Sequence, residues 1–188
     1  MEHPVRERPH PAVLIAIALP VLLAIVLAGA AVAARIGWLG GSPAPDGGPL
    51  AVVPVDAPAA TDPGCTQLLA ALPAELAADA GSLATRPLVQ PAPPGVRAWA
   101  ANPRPVVLRC GLPRPVELTP TAALLEINGV RWLPLEDPGQ ARDVITYVAV
   151  DRPVYVVFTT PAELGSGPIQ QVADAIRTVL PEVPVAVR

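Results

Sequence analysis

The sequence contains no lysine, and its two histidines, His3 and His10, both precede the first long apolar run. Everything beyond that point lacks imidazole and primary amine side chains. A Ser-His-Asp triad, a Cys-His pair, a histidine-built metal site and a Schiff-base lysine are therefore excluded there. Cysteine is as scarce: Cys65 and Cys110 are the only two. They are too few for a four-ligand zinc site and lack the close Cys-x-x-Cys spacing that tunes thiolate chemistry. Closely alternating oxygen donors, as a calcium loop needs, do not occur. From Ile36 onward 10 arginines stand against 14 carboxylates, a net −4. That is the wrong sign for a nucleic-acid partner, and nothing in the chain calls for a cofactor.

What the sequence does contain begins with an uncharged run from Pro11 to Ala34, flanked by Arg6 and Arg8 on one side and Arg35 on the other. Its apolar part, about 23 residues, would be roughly 34 Å long as a helix, against a hydrocarbon core of about 30 Å. Pro20 lies mid-span, where membrane helices tolerate it. After Arg35 no basic residue occurs until Arg86, so the positive-inside rule keeps the N-terminus in the cytoplasm. The expectation is a single-pass protein of the cell membrane: a cytoplasmic tail over residues 1–11, an anchor from Ala12 to Ala34, and an extracytoplasmic remainder. A competing reading is a cleaved signal peptide, because Ala31-Val32-Ala33 has the small-x-small form; cleavage would release a secreted factor. The apolar stretch exceeds the usual 7–15 residues of a signal core, roughly, which favours the anchor. All 13 basic residues are arginine, with alanine, valine, proline and glycine abundant, a bias of GC-rich bacterial genomes.

Residues 35–62 are rich in proline, glycine and alanine and read as an extended linker, with Leu50 to Val55 as an alternative short edge strand. Residues 63–188 suit one compact domain. Asp62 can cap a helix with Pro63 in its first turn, and Leu68, Leu69, Leu72 and Leu76 share a face; Pro73 would split this helix into two short pieces. Pro105 to Cys110 alternates as a strand. Asn128-Gly129 separates Leu124–Ile127 from Val130–Leu135 and predicts a two-residue hairpin turn. A second hairpin is expected from Asp143–Val150 and Val154–Thr159, around Asp151-Arg152-Pro153. Thr160-Pro161-Ala162-Glu163 has the form of a capping box that opens a helical turn. Pro168 to Leu180 then repeats apolar residues at helical spacing, with Ile169, Val172, Ile176 and Val179 expected buried. The order predicts an α+β domain: an antiparallel meander with helices on one face.

Ala98-Trp99-Ala100-Ala101-Asn102-Pro103 leading into Val107-Leu108-Arg109-Cys110-Gly111, Asn128-Gly129-Val130-Arg131-Trp132, and Cys65-x-x-Leu68-Leu69-x-x-Leu72-Pro73 carry a resemblance. Over most of Cys65 to Pro181 the chain resembles an actinobacterial family of single-span envelope proteins, domain of unknown function 3515. Ala100 stands where that family usually has glycine. The resemblance supports the topology and a cysteine pair, and it implies no activity.

Three groups of residues could carry chemistry. In an oxidising exterior Cys65 and Cys110 most simply form one structural disulfide, the alternative being a redox-active pair. The carboxylates Glu117, Glu126, Glu136, Asp137, Asp143 and Asp151 would serve a glycoside hydrolase only if two converged across a cleft; Glu136-Asp137 before Pro138-Gly139 reads better as a solvated hairpin tip. Finally, Val96 to Val116 holds Arg97, Arg104, Arg109 and Arg114 with Trp99 and no acid. Arginine forks bind carboxylates and phosphates, so Arg97, Trp99, Arg104 and Arg114 form a candidate anion-binding face for lipid headgroups, wall polymer or an envelope protein, with Arg109 more structural. The competing reading has these arginines neutralise Glu117, Glu126, Glu136 and Asp143, with Trp99 in the core. Trp132 is read as core. The function expected is non-enzymatic binding at the cell envelope, the alternative being a carboxylate-dependent hydrolase.

Overall fold

The computed structural model describes residues 21–29, 32, 47–79, 81–135 and 143–187, and the chain divides into two units, Met1–Ala44 and Pro45–Arg188. Most of the expected anchor, Ala12 to Ala34, lies outside the described residues. Within it, residues 21–29 are helical, and Val21, Leu22, Leu23, Ile25, Val26 and Leu27 each expose between 52% and 65% of their surface. No helix among the described residues is long and apolar enough to cross a membrane.

In the second unit, helix α1 (Pro63–Ala71) starts as its sequence dictates, because the Asp62 side chain accepts from the Gly64 N–H at 2.7 Å. It ends at Leu72, whose extended backbone (ψ 137°) is the conformation that a following proline imposes. The second helical piece expected after Pro73 is instead a strand. β1 (Glu75–Ala78) pairs antiparallel with β2 (Gly81–Ala84), with Leu76 opposite Leu83 and both buried. Leu76 fits helical spacing from Leu68 and Leu72 yet reaches the same core from a strand. The Gln171 side chain covers β1 by accepting from the Ala77 N–H and donating to the Ala77 carbonyl.

The main sheet comprises β3 (Val96–Trp99), β4 (Val106–Leu112), β5 (Leu125–Ile127), β6 (Val130–Leu135), β7 (Val144–Ala149) and β8 (Tyr155–Pro161). All pairings are antiparallel, in the order β3-β4-β8-β7-β6-β5. Strands β5 to β8 are the expected meander. The β3–β4 hairpin is not part of it, since β4 pairs with β8 at the far side from β5. Residues 113–124 therefore pass across the sheet, and Leu118 packs there with Leu133, Val148 and Val150 in a second, smaller core. The Asn128-Gly129 turn has φ of 50° and 75°, and Ile127 faces Val130. Positive φ at both positions is what this turn requires and what the two residues tolerate.

Thr160 and Pro161 end β8 rather than cap a helix, and the Thr160 hydroxyl bonds the Pro161 carbonyl. Ala162–Leu164 does form a single 3₁₀ turn, without a side-chain cap. Helix α2 (Gly167–Val179) follows, with Ile169, Val172 and Ile176 buried and Val179 half-buried. Both helices contribute to the main core on one face of the sheet, with Leu68, Trp99, Leu108, Trp132, Phe158 and Ile176 among the buried residues. Cys65 of α1 and Cys110 of β4 form a disulfide within this core. Trp132 meets Tyr147 edge-on, with ring centroids 6.3 Å apart.

The segment read as a linker joins the domain from residue 48 on. The Gly48 carbonyl accepts from Arg86 Nε at 2.7 Å, and Leu50 forms a single parallel bridge to Leu88 in place of an edge strand. Ala59 N–H donates to the Gly111 carbonyl at 3.0 Å.

Candidate anion-binding site

Strand alternation divides the acid-free stretch between two faces. Arg97 and Trp99 lie opposite Leu108 and Val106, on the helix side, whereas Arg109 lies opposite Val96 and Val157 on the other side. Trp99 is fully buried, and its indole N–H donates to the Pro73 carbonyl at 3.1 Å. Arg97 donates to the Leu69 carbonyl at 2.7 Å, one of the acceptors that the end of α1 leaves without an intrahelical partner. Arg114 donates to the carbonyls of Ala186 and Leu118, fastening the C-terminal segment. Arg104 is exposed in the β3–β4 connection. The seven residues of β4 separate Arg104 from Arg114, about 23 Å at about 3.3 Å per residue. Arg97, Trp99, Arg104 and Arg114 are thus not gathered into one face. Glu136 lies outside the described residues, and among those residues no ion pair joins the four arginines of the stretch to Glu117, Glu126 or Asp143.

Arg97, Arg109 and Arg114 are all half-buried, but Arg109 alone of the three has no hydrogen-bond or ion-pair partner among the described residues. Burial lowers its pKa from the ordinary guanidinium value. The side chain borders a hollow of about 100 Å³ whose other walls are Val55, Ala57, Ala60, Pro93, Pro94, Val96, Cys110 and Leu112. Asp56, the carboxylate next to these walls in sequence, is exposed and forms no pair with Arg109.

Two glycines make the hollow possible. Gly95 (φ 73°) and Gly111 (φ 87°) let the backbone around Ala59 and Ala60 dock against the β3–β4 hairpin. A Cβ on Gly111 would lie 2.2 Å from the Ala59 carbonyl carbon, and one on Gly95 would lie 2.6 Å from the Cys110 oxygen. Gly111 also sits where the β4–β8 register shifts between Cys110 and Leu112. Gly111→Ala should therefore destabilise the domain by about 2–3 kcal/mol, from left-handed strain plus overpacking against backbone. Urea unfolding measures this, and a loss below about 0.5 kcal/mol would refute the close approach.

The carboxylates are dispersed. Glu117 and Glu126 are exposed, Glu136 and Asp137 lie outside the described residues, and among those residues no cluster of three potential metal ligands occurs. Asp151 is 1% exposed beside Arg152 at 5%. Its Oδ2 accepts from the Arg131 N–H at 3.0 Å, Arg152 donates to the Gly129 carbonyl at 2.6 Å, and the two charges are 3.9 Å apart. Desolvation raises the Asp151 pKa, only partly opposed by the Arg131 N–H and the Arg152 charge. Both residues lie in the β7–β8 connection, where the sequence predicts a turn, and Asp151 is also one of the candidate carboxylates. Arg109, set aside in sequence as the more structural arginine, points away from the helices, as the alternation of Leu108, Arg109 and Cys110 indicates.

The architecture is a disulfide-linked α+β domain preceded by an apolar helical segment, with Arg109, which has no partner among the described residues, in a hollow beside its edge hairpin. Residues 15–185 match the family model described as protein of unknown function (DUF3515), and the chain belongs to that family. No curated protein and no solved structure matches.

Proposed function

We propose that the chain is a single-span, membrane-anchored protein of an actinobacterial cell envelope, with its N-terminus cytoplasmic and its domain outside, and that it acts by binding an anionic partner rather than by catalysis. The observation that carries the binding reading is Arg109. Nearby Arg97 and Arg114 are occupied by backbone carbonyls, while Arg109 borders a hollow with no partner for its guanidinium among the described residues. A half-buried cation is desolvated without compensation, so an anion entering the hollow recovers an interaction that water supplies only in part. A hydrolase reading has less support, since among the described residues neither this hollow nor the groove beside it is lined by a carboxylate. The anchor reading is supported by the exposed residues 21–29, which present apolar side chains on every side of a helix.

The test uses intact, wall-stripped cells. External protease should remove the domain while an N-terminal tag stays protected, and Arg109→Met should reduce cross-linking to anionic envelope components. A mature chain beginning near Ala34 would replace the anchor with secretion, and unchanged cross-linking would refute binding at Arg109.

A further inference from the structure

We infer that the hollow receives the carboxylate of an acyl chain, whose hydrocarbon lies along the adjoining proline-lined groove; this rests on the anion-binding reading above. The groove, about 370 Å³, is lined by Ala51, Val52, Pro54, Val89, Gln90, Pro91 and Pro93. It shares Pro93 with the Arg109 hollow, and the chain passes from the groove at Ala51, Val52 and Pro54 to the hollow at Val55. Its volume lies within the roughly 300–1,000 Å³ of small-molecule sites.

Charge and donor chemistry select the ligand class. Among the described residues, Arg109 is the only charged one lining either space. One planar fork matches a monoanionic carboxylate in two parallel hydrogen bonds, whereas a phosphate near neutral pH carries more charge than one guanidinium balances. The hollow holds the head alone, so the remainder must lie outside it. There the walls are valine, alanine, proline and Gln90; proline has no N–H to offer, and the Gln90 amide is engaged by the Leu88 carbonyl and the Ala92 N–H. A peptide laid along such walls would leave carbonyls without donors, while a hydrocarbon has no such need. Val53, Val55 and Val89 expose 75%, 47% and 47% of their surface beside these spaces, and an acyl chain would cover such apolar area.

The test is calorimetric titration of the full chain in lipid nanodiscs, with empty discs as the blank and octanoate, octanamide, acetate and inorganic phosphate as probes. Octanoate should bind about tenfold or more tightly than octanamide, which lacks the charge, and than acetate, which lacks the chain. Phosphate should not compete. Arg109→Met should lower octanoate affinity about tenfold or more with an unchanged melting temperature, and Arg109→Lys should restore only part of it. Equal binding of octanoate and octanamide overturns the carboxylate assignment without requiring any variant to fold. Acetate or phosphate binding as tightly as octanoate overturns the acyl assignment but leaves a general anion site. Failure of every probe, with cross-linking still lost in Arg109→Met, refutes this inference alone; failure of both refutes the binding reading as well.

Discussion

Replacing Cys65 and Cys110 together by alanine should destabilise the domain by roughly 4 kcal/mol. The two residues are 45 positions apart in sequence. In the chain-entropy model, closing a loop of that length removes roughly 4 kcal/mol worth of freedom from the unfolded chain. That is comparable with the whole net stability of a small domain, about 5–15 kcal/mol. The loop contains β1, β2 and β3, and the bridge fastens α1 to β4 in the main core. Both cysteines are at most 1% exposed, so alanine adds a small packing loss, whereas serine would bury hydroxyls. Urea unfolding with and without reductant measures the effect, and reduction of the native protein should approach the same midpoint. A double variant within about 1 kcal/mol of the parent would show that the bridge is dispensable. Thiol labelling of denatured, unreduced protein should find no free cysteine.

What the sequence reveals about this fold depends on how local each determinant is. The Asn128-Gly129 turn, the Asp62 cap and the apolar stripe of α2 are each specified within a few residues by dihedral preference or hydrogen-bonding capacity, and each is where the sequence places it. Leu76 shows how a short run misleads. Its spacing from Leu68 and Leu72 suits a helix, but only pairing with Leu83 decides for a strand, and that partner lies beyond a turn. The adjacency of β4 and β8 is less visible still, because 42 residues (113–154) separate them and no local pattern encodes the choice. The arginines follow the same rule. Arg97 and Arg114 are held by carbonyls of Leu69, Leu118 and Ala186, and since every residue has a carbonyl, composition cannot identify these partners. The Arg109 hollow likewise exists only because residues 55–60 return to the hairpin through Gly95 and Gly111.

The buried pair of Asp151 and Arg152 gives the other large expected effect. Arg152→Met should destabilise the domain by about 3 kcal/mol at pH 7, because removing one member of a buried pair strands the other charge. The surroundings place the pair at the base of the Asn128-Gly129 hairpin: Arg152 holds the Gly129 carbonyl, Asp151 holds the Arg131 N–H, and the Asp151 carbonyl accepts from Val183. Methionine keeps apolar volume but leaves the Gly129 carbonyl without this donor and the carboxylate without its countercharge. The pH dependence follows from the direction of the shift. Desolvation already raises the native Asp151 pKa above its ordinary 3.8, despite the nearby Arg152 charge. Between the unfolded and native values the folded state binds more protons, so this residue's contribution falls as pH rises through that window and is greatest in acid. Without Arg152 the native value rises further and the window widens upward. The loss caused by Arg152→Met should therefore shrink as pH is lowered from 7 toward 4, where a neutral carboxyl no longer needs the guanidinium. Urea unfolding of parent and variant at pH 7 and pH 4.5 tests both parts. A loss under about 1 kcal/mol at pH 7 would mean that the 3.9 Å pair contributes nothing beyond packing, and a loss that grows in acid would place the stranded charge on a group other than Asp151.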